Sequence, residues 1–455
     1  QIFYHDIGDY LNREEKLRKI TQAQSYRGLD WTLITPNEKH DWINQRDGLF
    51  ETLLPLAPEK KFDAKAKSVF VTYSLGIATS RDAFLYNYSS AILEQSARKT
   101  IDYYNEQREN IHRNPQYKVV RDSKKVVWNS MLQESAMRNE TIVFDESKLA
   151  EGLYRPFCKQ NLLFQKNLIQ RTYQQLTLFP TPHHKNIVIC VSGLGGSKEF
   201  STFIADMVPD LQVLSNGQCF PLYWYDENKG EQEVSLFGTT NEERWTKRDG
   251  ITDWCLQEVR SRFAGAKSIT KEDIFYYVYG LLHSPHYRER FADDLRKALP
   301  RIPIVERAEE FIAFAKAGRE LAHLHLHYED FANEAGVEVV ETDYSAADEF
   351  AFYAVEKMRF APKDERHTII VNPHIAIHNI PTEAYDYVVN GKSAIEWVMD
   401  RYAVTTHKDS GIKNDPNLWA REQGKPRYIL DLLLSIIHVS LETHRIVEKL
   451  PELIF

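Results

Sequence analysis

Gly152 to Lys198, GLYRPFCKQNLLFQKNLIQRTYQQLTLFPTPHHKNIVICVSGLGGSK, is a run of 47 residues without one Asp or Glu. With 65 acids in 455 residues, about seven would fall there by composition. Arg155, Lys159, Lys166, Arg171, Lys185 and Lys198 are spread through it, with Tyr154, Phe157, Phe164, Tyr173 and Phe179 between them and His183-His184 near its end. A surface that meets a polyanion must be kept free of negative charge, so the segment reads as part of a DNA-binding face. It also carries the plainest strand of the chain, Asn186–Ser192 (NIVICVS), which runs into the glycine turn Ser192-Gly193-Leu194-Gly195-Gly196.

On the N-terminal side, Gln1–His5 reads as a strand and Asp9–Ile20 as a short charged helix. Trp31–Pro58 is irregular, punctuated by Pro36, Pro55 and Pro58. Ser68–Tyr73 (SVFVTY) is a strand by its β-branched content, followed by a turn at Gly76, and a helix over Ala91–Arg108 places Leu93, Ala97 and Ile101 on one side. On the C-terminal side, Asp226–Thr252 is polar and reads as a linker or exposed loop. Beyond it, Asp273–Leu282, Tyr287–Ala298, Glu306–Phe331, Thr382–Tyr402 and Tyr428–Leu450 show apolar residues at helical spacing. An interruption at Gly336–Val340 and a strand-like Thr368–Val371 keep this half mixed. The expected class is α+β: a mixed, β-containing recognition part followed by a mainly helical C-terminal part.

A chain of 455 residues can bury two or three cores, and 43% apolar with 27% charged residues is ordinary for a globular protein. No run of eighteen apolar residues is present to span a membrane. The chain opens on Gln1 with no signal segment, so it is expected to be a piece of something longer. Cys158, Cys190, Cys219 and Cys255 are widely spaced and form no CxxC pair, which fits reduced, buried thiols in a cytoplasmic protein. A net charge of −8 excludes an indiscriminate nucleic-acid coat but not a local site. Between Ile304 and Met358, thirteen acids face four bases, which sets the repulsive charge apart in sequence from the basic segment.

The glycine turn invites a nucleotide-site reading, because amides at a following helix start can hold phosphate. Lys198 stands where the dinucleotide fingerprint needs its third glycine, and neither GxxxxGK[ST] nor a GxSxG elbow around Ser197 is present. The alternatives are a plain tight turn or a turn whose amides touch a DNA phosphate. His323, His325 and His327 would share a face on a strand, as metal ligands do, but the alanine-rich approach from Ala313 argues for a helix that turns His325 away from the other two.

Arginines and lysines beside turns are the candidate contacts. In Thr79-Ser80-Arg81-Asp82, Arg81 is placed to reach a phosphate or grip guanine bidentately, the alternative being that Arg81 and Asp82 serve only the fold. Lys124 and Lys125 before Val126-Val127-Trp128 are a backbone clamp or a solvated pair. A helix starting at Pro156 would align Arg155, Lys159 and Lys166; a strand would not, and Leu162-Leu163-Phe164 leaves both open. His183 joins these as a loop candidate, following Pro180 and Pro182.

Several stretches resemble one family together. Tyr4-His5-Asp6-Ile7-Gly8-Asp9-Tyr10-Leu11 with Arg13-Glu14-Glu15-Lys16-Leu17 resembles the segment that closes the methyltransferase core of type ISP restriction-modification enzymes. Gly76-Ile77-Ala78-Thr79-Ser80-Arg81-Asp82, Leu153-Tyr154-Arg155-Pro156-Phe157, Gln218-Cys219-Phe220-Pro221-Leu222-Tyr223 and Tyr279-Gly280-Leu281-Leu282-His283-Ser284-Pro285-His286-Tyr287-Arg288 follow in order. Asn390-Gly391-Lys392-Ser393-Ala394-Ile395-Glu396-Trp397 and Ser410-Gly411-Ile412-Lys413-Asn414-Asp415-Pro416-Asn417 complete a likeness to that family's C-terminal specificity region.

The resemblance implies sequence-specific recognition of double-stranded DNA by one part of a single polypeptide that also holds methyltransferase, helicase-like and nuclease parts. It divides the chain into the end of a methyltransferase core (1–24), a DNA-recognition part (25–235) and a mainly helical C-terminal part of the specificity region (236–455). By charge and turn context, Arg81, Lys124, Arg155, Lys159, Lys166, Arg171, His183, Lys185 and Lys198 are the expected DNA contacts, with Arg155, Lys159, Lys166, Arg171, Lys185 and Lys198 chiefly on phosphate and Arg81 with the loop residues of the 180s on base edges. An NPPY-type methyltransferase motif, a Walker motif and nuclease signatures are all missing, so this chain is expected to hold no cofactor. S-adenosylmethionine, ATP and Mg are expected of the parent polypeptide. Competing readings are a structural module that couples enzyme domains, favoured for the acidic C-terminal half, and a nucleotide- or S-adenosylmethionine-binding enzyme domain.

Overall fold

A computed structural model describes residues 1–8, 11–114, 116–196, 198–228, 244–263, 268–344, 348–362 and 366–455. The first residues of the helix expected from Asp9, Ser197 beside the glycine turn, and the centre of the polar stretch Asp226–Thr252 lie outside them. The architecture is α+β.

Two four-stranded sheets carry the first half. In one, Leu149–Arg155 pairs antiparallel with Cys158–Leu163, which pairs with Tyr86–Asn87, while Val208–Pro209 runs parallel to the outer edge. In the other, Val188–Val191 lies between Thr202–Ala205 and Gln218–Pro221, and Ser74–Leu75 closes the edge. Val188, Ile189, Cys190 and Val191 are all buried, so the apolar run is covered on both faces. The helix Ser90–Arg113 is capped by the Ser89 hydroxyl, which accepts from the Ile92 amide at 3.3 Å, and buries Leu93, Ala97 and Ile101 as their spacing predicts.

The second half is mainly helical around one further four-stranded sheet. The helix Lys271–Leu281 crosses Ala308–Leu326 at close range through Gly280 and Gly318, and the apolar helix Tyr428–Glu448 packs beside them. The sheet orders Glu338–Glu341, Ile375–His378, Ile369–Asn372 and Arg359–Phe360, all antiparallel. The halves share a core: Leu54–Pro55 pairs with Arg301–Ile302, the Asn87 amide donates to the Lys413 carbonyl at 3.0 Å, and the Val71 amide donates to the Gly250 carbonyl at 2.7 Å.

Some local expectations are corrected. Ser68–Tyr73 is no regular strand; Val69, Phe70 and Val71 donate to Pro55, Leu56 and Gly250 in turn, so partners from different segments satisfy a buried but irregular chain. Tyr287–Ala298 breaks at Phe291 into Pro285–Arg290 and Ala292–Lys297. Thr382–Tyr402 is no continuous helix: a 3-10 turn, Thr382–Tyr385, and the α-helix Ala394–Arg401 are separated by a hairpin of Val388–Val389 and Lys392–Ser393 whose loop residues Asn390 and Gly391 take φ of 51° and 81°. An Asn-Gly pair with both φ positive is the signature of a tight hairpin turn, and that signal outranked the helical spacing. Arg155 and Lys159 sit on strands, which ends the alignment a helix from Pro156 would have given.

Candidate nucleic-acid interface

Thr79-Ser80-Arg81-Asp82 is fixed by backbone on both sides. The Ile77 amide donates to the Pro209 carbonyl, and Ala78 and Arg171 exchange amide-to-carbonyl bonds of 2.9 and 3.0 Å. A Cβ at Gly76 would meet the Asp210 carbonyl oxygen at 2.5 Å, so only glycine lets the loop come this close. Ser80 then adopts φ of 58° and bonds the Gln170 amide oxygen.

Arg81 is turned inward, only 2% exposed. Its guanidinium donates to the Leu168 carbonyl and, at 3.1 Å, to the Val127 carbonyl, tying the loop 166–171 to the segment that follows the turn 122–126. Burial pulls its pKa down to about 10, so it stays charged at neutral pH. Arg81 is therefore committed to the fold rather than presented to a base edge.

Arg155 and Lys159 are likewise taken up. Arg155 donates to Asp210 at 2.8 Å, reaches Asp82 at 3.8 Å and stacks over the Tyr154 ring at 3.9 Å. Lys159 pairs with Glu329 at 3.0 Å. The acid-free run thus draws its carboxylates from elsewhere in the chain, a pairing that linear charge counting does not see. Lys166, Arg171, Lys185, Lys198 and Lys124 are exposed, and among the described residues none of them is in an ion pair.

Exposed cations are divided among separate clefts. Lys408 lines a cleft of about 610 Å³ whose walls are the Ser80–Asn87 segment and the hairpin Thr405–Asn414, with Tyr154, Gln160 and Val127 between them. His183 and Lys185 edge another cleft, beside Glu151 and Asp206. Lys198 lies at a third, with Arg288 and Tyr387. Of the six cations expected along one track, Arg155 and Lys159 are taken up by carboxylates, Lys185 lines one cleft and Lys198 another.

The hairpin was missed as a candidate, though Ser410–Asn417 had been marked by family likeness. Its tip is shaped locally: the His407 ring meets the Ser410 hydroxyl at 2.8 Å, and the Gly411 amide donates to the His407 carbonyl at 2.9 Å. Its base is anchored by Asn414, whose side-chain oxygen accepts from the Tyr88 amide at 2.9 Å and whose amide donates to Gln160 at 3.3 Å. Thr405, Thr406, His407 and Lys408 are left exposed along the cleft. Alternating charges and hydroxyls without an apolar period gave no signal in the sequence.

The glycine turn does not fit a nucleotide. It joins two antiparallel strands rather than opening a helix. The Gly193 amide is already used on the Ser215 carbonyl at 2.8 Å, and a Cβ there would meet the Asn216 oxygen at 2.0 Å. His325 is buried on the helix Ala308–Leu326, bonded to Tyr279 and Thr443, while His323 and His327 face solvent with ring centroids 4.8 Å apart. Among the described residues no cluster of three His, Cys, Asp or Glu is placed to hold a metal, and all four cysteines are buried and free. No helix among the described residues is long and apolar enough to cross a membrane.

A family model described as the Type ISP C-terminal specificity domain matches residues 68–432. Comparison with curated proteins gave no match. Among solved structures, the fold is similar to LlaBIII, an ATP-dependent Type ISP restriction-modification enzyme bound to DNA, with a TM-score of 0.82 and 35% identity over 99% of this chain and 27% of that one. A nuclease-deletion mutant of the Type ISP enzyme LlaGI in complex with a DNA substrate mimic gives 0.82 and 35% over 99% and 39%. A DrdV–DNA complex seen by cryo-electron microscopy gives 0.79 and 27% over 99% and 43%. The chain spans less than half the length of each.

Proposed function

The chain belongs to the family of Type ISP C-terminal specificity domains, and from that premise we propose that it recognises a specific sequence in duplex DNA for a longer restriction-modification polypeptide. The observation that carries this reading is the cleft between Ser80–Asn87 and the hairpin Thr405–Asn414. It combines donors and acceptors at fixed positions with Lys408, an exposed cation that is in no ion pair among the described residues, the division of labour that base readout and phosphate contact require. Lys124, Lys166, Arg171 and Lys408 bind phosphate; Ser80, Thr406 and His407 face base edges. Arg81, Arg155 and Lys159 position this surface rather than touch the duplex.

Residues 1–24 end a preceding methyltransferase core and dock on it. Phe3, Leu17, Ile20, Tyr26, Trp31 and Leu33 support this, since they leave large apolar side chains exposed in one short N-terminal stretch. Residues 25–235 supply most of the recognition surface, and 236–455 add the hairpin and brace it. ATP, S-adenosylmethionine and Mg act in other parts of the parent polypeptide, in the cytoplasm.

Selecting duplexes from a random pool on the chain tests the reading. An enriched motif is expected, and replacing His407 with Ala should change the motif while leaving the circular-dichroism spectrum intact. Recovery of unenriched DNA, or an unchanged motif after His407→Ala, would remove the cleft from recognition.

A further inference from the structure

The third cleft, about 690 Å³, opens between the segment Lys198–Ser201, the start of the helix Pro285–Arg290 and the helix Tyr428–Glu448. Three polar groups that face it have unmet hydrogen-bonding capacity among the described residues. His283 is 3% exposed, and its Nε2 has no partner. Tyr387 is 7% exposed, and its hydroxyl has none. Arg288 spends its Nε on the Leu282 carbonyl at 2.7 Å, and no carboxylate pairs with its guanidinium. Buried polar groups are nearly always satisfied, so two unpartnered ones beside the half-buried Arg288 at one opening point to a ligand.

The rings are held rigidly. Tyr387 stacks on His325 with centroids 4.9 Å apart and planes 7° from parallel. His325 is locked by Tyr279 at 2.6 Å and Thr443 at 2.9 Å, and Tyr279 meets His283 edge-on at 4.7 Å. The His283 Nδ1 lies 2.8 Å from the Tyr279 carbonyl oxygen. A carbonyl can only accept, so Nδ1 carries the hydrogen and the neutral ring offers Nε2 as an acceptor. Burial keeps this ring neutral, its pKa well below the usual histidine range.

The complement to an arginine fork, a phenol and an imidazole lone pair is an anion that also keeps a hydroxyl. We propose that this cleft binds a single protonated phosphate, Arg288 and Tyr387 holding its oxygens, His283 accepting its hydroxyl and Lys198 closing the mouth. Hydrogen phosphate retains such a hydroxyl at neutral pH; sulfate does not. The mouth also carries Glu199, Glu289 and Asp386, all exposed, whose charge opposes any anion, so binding rests on the donors and acceptor inside the cleft. The site is independent of the DNA-recognition reading.

Calorimetric titration of the full chain with inorganic phosphate, sulfate and glycerol phosphate tests it. Phosphate should bind and sulfate bind far more weakly, and Tyr387→Phe, which keeps the ring stack, should weaken phosphate about tenfold with an unchanged melting temperature. Lys198→Ala, on the exposed rim, should weaken it also. If glycerol phosphate binds as well, the source is a phosphomonoester; if it does not, it is free phosphate. No heat with phosphate, equal affinity for sulfate, or phosphate affinity unmoved by both substitutions would overturn the proposal.

Discussion

Arg155 Nη1 stands 2.8 Å from Asp210 Oδ1, and both side chains are largely buried between the loop at Asp82 and the edge strand Val208–Pro209. Burial outweighs the attraction of Arg155 and lifts the Asp210 pKa from 3.8 to about 7. The folded state therefore holds a proton that the unfolded chain has released between those values. Linkage then makes stability fall as pH rises from about 4 to about 7 on this group's account, the loss being complete above about 7. Asp210→Asn should flatten that slope in urea unfolding measured across pH; a slope identical to that of the parent chain would contradict it.

Removing the arginine leaves the carboxylate buried without its partner. Arg155→Met should cost about 3 kcal/mol at pH 8, where Asp210 is ionised, and clearly less at pH 5. Combining it with Asp210→Asn should recover most of the loss, since the pair is then replaced by neutral groups. Equal destabilisation by Arg155→Met at both pH values would show that packing over Tyr154, rather than charge, is what Arg155 supplies.

Arg81 yields a similar contrast. Its two guanidinium bonds to Leu168 and Val127 carbonyls hold one wall of the cleft proposed for recognition, so Arg81→Ala should cost about 3 kcal/mol of stability through unsatisfied buried groups. Because Arg81 positions the surface, DNA affinity should fall by a similar factor for target and scrambled duplexes. A loss confined to one base pair of the target would instead restore Arg81 as a direct reader.

The elements with a strong local period were legible: the strand at Val188–Val191 and the helices Ser90–Arg113 and Tyr428–Glu448 follow from apolar spacing alone. What the sequence concealed depends on distant partners. Glu329 neutralises Lys159 across 170 residues of chain, and Asp210 meets Arg155 from outside the acid-free run. The hairpin Thr405–Asn414 has two-residue strands, too short for any pattern, yet it forms a wall of the cleft. At Asn390-Gly391 the turn signal was present and was overridden by helical spacing, a wrong weighting of two legible cues.

The crossing of Lys271–Leu281 over Ala308–Leu326 depends on absent side chains. A Cβ at Gly318 would stand 1.9 Å from the Tyr276 carbonyl oxygen, and one at Gly280 would stand 2.3 Å from that of Phe314. Backbone cannot yield as a flexible side chain does, so Gly318→Ala should destabilise the chain by about 2–3 kcal/mol despite its better helix propensity. Gly336, with φ of 64° and open space around it, should lose only about 1 kcal/mol as alanine, from backbone strain alone. Thermal unfolding of the two variants should rank them in that order.

Salt dependence separates cations that meet DNA from those spent on the fold. Each phosphate contact releases condensed counterions, so the logarithm of the binding constant falls with the logarithm of salt by about 0.9 per contact. Lys166 is exposed without a carboxylate among the described residues, whereas Lys159 is held by Glu329. Lys166→Ala and Lys124→Ala should each reduce the slope by about one unit, equally on target and scrambled duplexes. Lys159→Ala should leave the slope unchanged, as should Lys198→Ala, because Lys198 faces a different cleft. If Lys159→Ala reduced the slope as much as Lys166→Ala, the Glu329 pairing would have to open on DNA and the duplex would cover the strand face as well as the cleft.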